Sequence, residues 1–251
     1  MQILDKVSEF CEQNNIKYWI DCGTLLGAIR HKGYIPWDDD IDVGMLRPDF
    51  DRFMELFNEE NDRYKFYSIE NNDKFYFAYG KVLDTKTVLY EPDKSGTKLA
   101  INIDIFVYDN APDDVKKINF MYNKRDFLRL LHNLRTKRIA YRKNFIMKIV
   151  SKVANLILHM FPENFFIRKL SQNSEKYCNV QTKRVGNFMG YARMSCDKDV
   201  FDDFIYAEFE NKKYKIPIGY DKWLRAFYGE YMELPPVEKR TSHHKFEAYI
   251  E

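Results

Sequence analysis

The sequence predicts an α/β protein: a mixed sheet with flanking helices, interrupted by a basic helical insertion over about 113–185. Three observations predict it. Helical and strand-like periodicities alternate through the first half of the chain, one eleven-residue segment alternates its side chains with the period of a strand, and the segment after it turns helical and strongly basic. At 251 residues, 45% hydrophobic and 31% charged, with no Pro/Gly/Ser linker, the chain is expected to form a single domain over 1–251 with one sizeable core.

The elements follow in order. In "ILDKVSEFCEQNN" the residues Ile3, Leu4, Val7, Phe10 and Cys11 recur at helical spacing, and Asn14-Asn15 ends the helix. "KYWID" is a short strand, after which the chain turns at Gly23 into the helix "TLLGAIRH", with Thr24 in its first turn. "DIDVGM" alternates acid and aliphatic residues and predicts a strand. Pro48 opens the helix "PDFDRFMELFNEE", where a first-turn proline forfeits no hydrogen bond. "YKFYSI", "FAYGKVLD" and "TVLY" are strands rich in aromatic and β-branched residues. "LAINIDIFVYD" is the clearest strand, with Ile101, Ile103, Ile105 and Val107 on one face and Asn102, Asp104 and Phe106 on the other. Beyond the helical region, "IYAEFENKKYKIPI" predicts a hairpin turning at Asn211-Lys212, and "YDKWLRAFYG" a helix ending at Gly229.

Net charge is only +2, yet Val115 to Leu170 holds fourteen Lys/Arg, Lys137, Arg138, Arg142 and Lys143 among them, against Asp126 and Glu163. Such separation predicts that the block faces an anionic partner, a phosphate-bearing substrate or the cytoplasmic leaflet. A solvated helical face would look the same. Within it, "FIMKIVSKVANLILHMF" places Lys148, Ser151, Lys152, Asn155 and His159 on one face and Phe145, Ile149, Val153, Leu156 and Met160 on the other. That pattern suits a membrane surface, but packing of the apolar face on the protein's own core is the commoner outcome. Four scattered cysteines, no signal peptide and no apolar run near the ~20 residues that span a bilayer predict a cytoplasmic protein, soluble or peripheral at the inner leaflet. No nucleic-acid-binding motif is present.

The chemistry concentrates in "GTLLGAIRHKGYIPWDDDIDVGM", where Asp38, Asp39, Asp40 and Asp42 crowd within five residues. Carboxylates so close raise one another's pKa unless something positive lies among them. On a strand, Asp40 and Asp42 share a face while Ile41 and Val43 point to the core, and paired carboxylates suit Mg²⁺, one or two ions, with Mn²⁺ as substitute. Asp104 alternates with isoleucines on another strand and is the third candidate ligand. An EF-hand fails at Val43, where that loop needs glycine, and at Asp49, where it needs glutamate. Gly23-Thr24 sits at a strand-to-helix turn suited to cradle phosphate. The order Gly-Thr helix, Asp-Ile-Asp strand and later Asp-bearing strand is that of the nucleotidyltransferase fold.

The stretch "DCGTLLGAIRHKGYIPWDDDIDVGM", together with "NIDIFVYD" and "YGEYMELPP", resembles the LicD family, bacterial enzymes related to fukutin-related protein. The resemblance runs from Tyr18 to Pro236. It implies a metal-dependent transferase that moves a phosphate-linked group, with phosphocholine the first choice, from a CDP-linked donor to a hydroxyl of a glycan or lipid-linked glycan. Ribitol, glycerol or ethanolamine phosphate is the alternative cargo. A nucleotidyltransferase releasing pyrophosphate and a non-catalytic binding protein are the rival readings. By position, the pattern places metal-binding and catalytic acids at Asp40, Asp42 and Asp104, a phosphate turn at Gly23 and Thr24, and substrate-facing residues at Arg30, His31, Lys32 and Trp37. Val107 stands where the family usually has proline, and a longer segment ahead of Tyr18 is expected from the family pattern.

Further candidates are Lys81, which could reach a donor phosphate unless it is an ordinary surface lysine, and an aromatic cage for a quaternary ammonium drawn from Tyr34, Trp37, Tyr76, Tyr79 and Trp223. His243 and His244 lie near the C-terminus and are assigned no role.

Overall fold

A computed structural model describes residues 1–90, 98–136, 145–242 and 247–250; Lys137, Arg138, Arg142, Lys143, His243 and His244 lie outside them. The helices are α1 (Gln2–Gln13), α2 (Cys22–Arg30), α3 (Arg47–Leu56), α4 (Val115–Thr136), α5 (Phe145–Leu158), α6 (Phe165–Ser174) and α7 (Tyr220–Tyr228). The strands are β1 (Trp19–Ile20), β2 (Asp42–Leu46), β3 (Tyr64–Tyr67), β4 (Gly80–Asp84), β5 (Thr87–Tyr90), β6 (Lys98–Leu99), β7 (Asn102–Ala111), β8 (Arg184–Asn187), β9 (Met194–Asp197), β10 (Phe204–Phe209), β11 (Lys212–Pro217) and β12 (Glu247–Ile250). The expected mixed α/β architecture is present.

The central sheet runs β1-β2-β7-β4-β3, with β8 and β9 continuing from the far end of β7. Only the β2–β7 pair in it is parallel, so β7 and β2 deliver their first residues to the same edge. The five apolar positions of α1 are all buried, as their spacing requires. In β7 both faces are buried, because helices cover the sheet on each side, and strict alternation would have left one face wet. Gly44 in β2 has Trp19 packed where a Cβ would stand, so this glycine lets the indole lie flat against the strand.

Three sequence expectations shift. β2 starts at Asp42, which leaves Asp40 in the preceding loop and not beside Asp42 on the strand. The hairpin turns one residue earlier, at Glu210-Asn211, both with positive φ, which matches the twist of the flanking strands. The third shift concerns α5. Its expected apolar face is turned outward, with Ile149, Val153, Leu156 and Met160 between 48% and 85% exposed. Leu158 is buried, and the helix is held to α4 through Asn155, whose Nδ2 donates to the carbonyls of Leu134 (2.8 Å) and Arg135 (3.1 Å). Side chains of residues 145–148 and 151 lie outside the description.

One buried charge ties the sheet both to α3 and to the end of α6. Asp109, fully buried on β7, accepts two hydrogen bonds from Arg47 at the start of α3 (2.7 and 3.0 Å) and one from the Ser174 hydroxyl at the end of α6. The carboxylate in turn holds the Arg47 guanidinium well above its usual pKa, against the pull of burial. Removing one member of such a pair leaves the other charge buried and unpaired. Asp109→Ala is expected to cost about 3–5 kcal/mol, read as a drop in Tm on the order of 10 °C. A shift within a degree or two of wild type would show the pair to be dispensable.

Candidate functional site

The site forms where β2, β7 and β4 meet the start of α2. Asp42 is the Cα partner of Asp104 across the parallel β2–β7 pair, and Lys81 of β4 is the partner of Asp104 on its other side. Cross-strand partners share a face, so two carboxylates and an ammonium stand in one row. Burial removes the water that would screen them: Asp42 is 7% exposed, Asp104 9% and Lys81 7%. Lys81 Nζ donates to Asp104 Oδ1 and to Asn102 Oδ1 (2.8 Å), and lies over the rings of Phe77 (4.8 Å) and Tyr79 (5.2 Å). This is no surface lysine.

Main-chain bonds fix Asp42 in place. Its N–H donates to the Thr24 Oγ1 (2.9 Å), and its carbonyl accepts the N–H of Asp21 (2.9 Å). Thr24 is thus buried and joins α2 to β2. Burial, then the charges of Asp40 and Asp104, push the Asp42 carboxyl well above the usual carboxylate range. Burial also raises Asp104, against the opposing pull of Lys81. Of the two acids, Asp104 is the one with the Lys81 ammonium beside it. The neighbourhood of Asp42 offers hard carboxylate oxygens, from Asp104 and from Asp40 on the loop above, and that is the donor chemistry a small divalent cation takes. Among the described residues, no three acidic, histidine or cysteine side chains already stand at ligating distances.

The N-terminus of α2 forms the next wall. Asp21 is its N-cap residue, Cys22 has a left-handed φ of 47°, and the carboxylate of Asp38 lies against the Cα of Gly23, in the space a Cβ would fill. The same Asp21 is fully buried. Its carboxylate accepts the Tyr108 hydroxyl and the Trp223 Nε1–H (3.0 Å), which ties β7 and α7 to the turn.

The remaining predicted residues divide. Arg30 donates to the carbonyls of Tyr231 (2.7 Å) and Glu233 (3.2 Å), so its guanidinium holds the C-terminal segment. Arg240 returns from that segment to lie 5.5 Å from the Trp37 ring, and the Ser242 hydroxyl donates to Asp39 (3.0 Å). Trp37 packs edge-on with His31, whose pKa is lowered by burial and then by Arg30. Lys32 is exposed at a turn with φ 61°. The five aromatics do not converge: Trp223 is buried on Asp21, Tyr34 packs on Phe209 (5.0 Å), and Tyr76 stacks on Phe77 (4.3 Å). Of the five, Tyr79 reaches Asp104 with its hydroxyl, and Trp37 packs between His31 and Arg240.

Three groups at the site escaped the sequence reading. Asp21 opens the quoted "DCGTLLG" stretch and Tyr228 opens "YGEYMELPP", so both had a signal. Tyr228, at the end of α7, has its pKa pushed well above the usual value by burial, then by Cys22, Asp42, Asp21 and Asp38, and 43% of the residue is open to solvent. Tyr191 had none. It is 68% exposed, stands 6.3 Å from Tyr79, and belongs to a loop whose Met189 and Gly190 carbonyls are gripped by Arg129 (2.7 and 2.6 Å), with Arg125 holding Gly190, Tyr191 and Ala192.

Comparison with known proteins bears on this geometry. Residues 15–144 match the family model described as LicD/FKTN/FKRP, nucleotidyltransferase domain. The lipopolysaccharide cholinephosphotransferase LicD of Haemophilus influenzae is 34% identical over 260 residues, spanning 100% of this chain and 95% of that protein. The human ribitol 5-phosphate transferase FKRP is 47% identical over 38 residues, 15% of this chain and 8% of that protein, and an uncharacterised Rickettsia typhi protein is 35% identical over 121 residues, 48% of this chain and 36% of that one. With a full-length relative above 30% identity and a family model over half its length, the chain belongs to the LicD/FKTN/FKRP family and is a transferase of the LicD type.

Proposed function

We propose that the chain transfers phosphocholine from a CDP-linked donor to a hydroxyl of a cell-surface glycan or lipid-linked glycan precursor. Likeness to the cholinephosphotransferase along the whole chain supports the cargo, and one structural observation carries the mechanism: Asp42 and Asp104 are buried opposite one another with a single ammonium, Lys81, between them and neutrality. Mg²⁺, held by Asp42 and Asp104 with Asp40, would supply the missing positive charge and neutralise the donor diphosphate. Lys81, beside Asp104, would add its charge next to that diphosphate, whereas the predicted phosphate turn has the Asp38 carboxylate against Gly23 and the Cys22 N–H bonded to Asp21. The acceptor hydroxyl attacks the phosphorus distal to the nucleoside, the bond to the CMP phosphate breaks, CMP departs and a carboxylate of the cluster takes the proton. Positioning and charge neutralisation supply most of the acceleration in such transfers. Likeness to the ribitol 5-phosphate transferase over 38 residues supports a polyol phosphate as the second reading.

CMP release from CDP-choline, CDP-ethanolamine and CDP-ribitol, each with Mg²⁺ and an acceptor, separates the readings. CDP-choline is expected to be the best donor, and Trp37→Leu to weaken its use far more than it lowers Tm. Turnover of CDP-ribitol alone moves the assignment to polyol phosphate, and pyrophosphate in place of CMP moves it to nucleotidyl transfer.

Asp42→Asn and Asp104→Asn are each expected to lower kcat by about a thousandfold or more, as loss of a charge-stabilising group does. Lys81→Met removes a point charge without a metal ligand, so it should lower kcat while leaving Mg²⁺-induced stabilisation in place. Wild-type turnover in Asp42→Asn would remove the acid from the mechanism.

The raised pKa of Asp42 gives a stability test. A carboxyl whose folded pKa lies above its unfolded value holds more protons folded than unfolded, so stability falls as pH rises through that range. In chelator at neutral pH, Asp42→Asn is therefore expected to melt above wild type, the gap closing as pH falls below the unfolded pKa of ~3.9. Excess Mg²⁺ should raise the Tm of wild type and not of the variant.

A further inference from the structure

We propose that the outer faces of α4 and α5 dock the protein onto an anionic phospholipid surface. On α5, Ile149, Val150, Val153, Leu156 and Ile157 are 48–75% exposed, with Met160 just past its end at 85%, in a helix joined to α4 through Asn155 instead. An amphipathic helix that turns its apolar stripe to water has an unmet partner. The helix is 14 residues long, about 21 Å at 1.5 Å per residue. No described helix is long and apolar enough to cross a membrane, so α5 would lie on a bilayer and not span it.

Charge selects the partner. On α4, Phe120 (63%) and Phe127 (59%) project among the exposed Lys116, Lys117 and Lys124, and a shallow cavity of about 270 Å³ beside Phe120 is lined by Lys116, Lys117 and Lys176 with Met121 and Tyr177. The one acid of α4, Asp126, is taken by Arg125 and Arg193 (2.7 Å each), and α5 has none. A second copy of the chain would bring lysines against lysines. Anionic headgroups instead meet the lysines while the aromatic and aliphatic side chains enter the acyl boundary. The inference stands on this surface alone, so it survives failure of the donor assignment, and the reverse.

Vesicle flotation without donor or acceptor tests it. Wild type should float with phosphatidylcholine–phosphatidylglycerol vesicles at low salt and bind about a hundredfold more weakly to phosphatidylcholine alone, as expected for three lysines near the surface. Leu156→Gln with Met160→Gln, and separately Phe120→Ser with Phe127→Ser, should lose binding at every salt concentration, with Tm unchanged. Lys116→Gln with Lys117→Gln and Lys124→Gln should bind weakly and lose the salt dependence set by a Debye length of ~8 Å. Equal flotation with both lipids, binding by the apolar variants equal to wild type, or no binding at low salt overturns the proposal. So does a wild-type dimer that Leu156→Gln with Met160→Gln dissolves, which would make the face an interface between copies.

Discussion

Asp42 is held opposite Asp104 by main-chain bonds that neither carboxylate can influence. The N–H of Asp42 is bound by Thr24, its carbonyl by Asp21, and the N–H of Asp104 donates to the Ile41 carbonyl (2.9 Å). Two buried acids are thereby forced into register on adjacent parallel strands, where separation by relaxation would break the sheet. The fold thus keeps a repulsive pair that the apolar core around it has to offset, and such a pair persists only where charge is the useful product of the arrangement. Lys81 relieves one side of it.

The same logic explains why the C-terminal third matters to a site built from the N-terminal half. Asp21 caps α2 and, through Trp223, anchors α7; α7 ends in Tyr228, whose pKa Asp42 and Asp21 help to raise; Arg30 at the other end of α2 grips the chain as it leaves α7. Helix α2 is therefore a strut clamped at both ends by the segment that follows the insertion. Arg30 reads, from sequence, as a substrate-facing cation. Its Nη1 instead donates to two carbonyls of the C-terminal segment while Nε faces the His31 ring, so the guanidinium serves to hold backbone.

Much of the fold was legible because its signals are local. The spacing of Ile3, Leu4, Val7, Phe10 and Cys11, Pro48 at the start of α3 and the alternation through β7 each depend on nearby residues alone. The pairing of Asp42 with Asp104 was half legible: both acids stand out, but their register follows from a parallel pairing across sixty residues that no local pattern encodes. Placing Asp40 beside Asp42 failed for a related reason, since period two holds only inside a strand, and β2 begins at Asp42. β8 and β9 were missed because their four-residue runs are stabilised by β7 and not by their own composition. Tyr191 was invisible, its position being set by arginines sixty residues away.

Those arginines also resolve the basic block. Its sequence reads as one charged face, yet its cations divide by geometry. Arg125 is 1% exposed and spends its guanidinium on three carbonyls and Asp126; Arg129 holds two carbonyls; Arg168 is paired with Asp73. These build the loop that brings Tyr191 to the site and attach the insertion to the body. The exposed lysines, Lys116, Lys117, Lys124 and Lys152, do neither. Arginine, with a planar fork suited to several fixed acceptors, is used inward, and lysine, a hydrated point charge on a flexible stem, is left outward. One insertion thus shapes the edge beside Tyr79 and Asp104 with its arginines and presents a cationic, apolar-studded exterior with its lysines, so its two faces can change independently of each other.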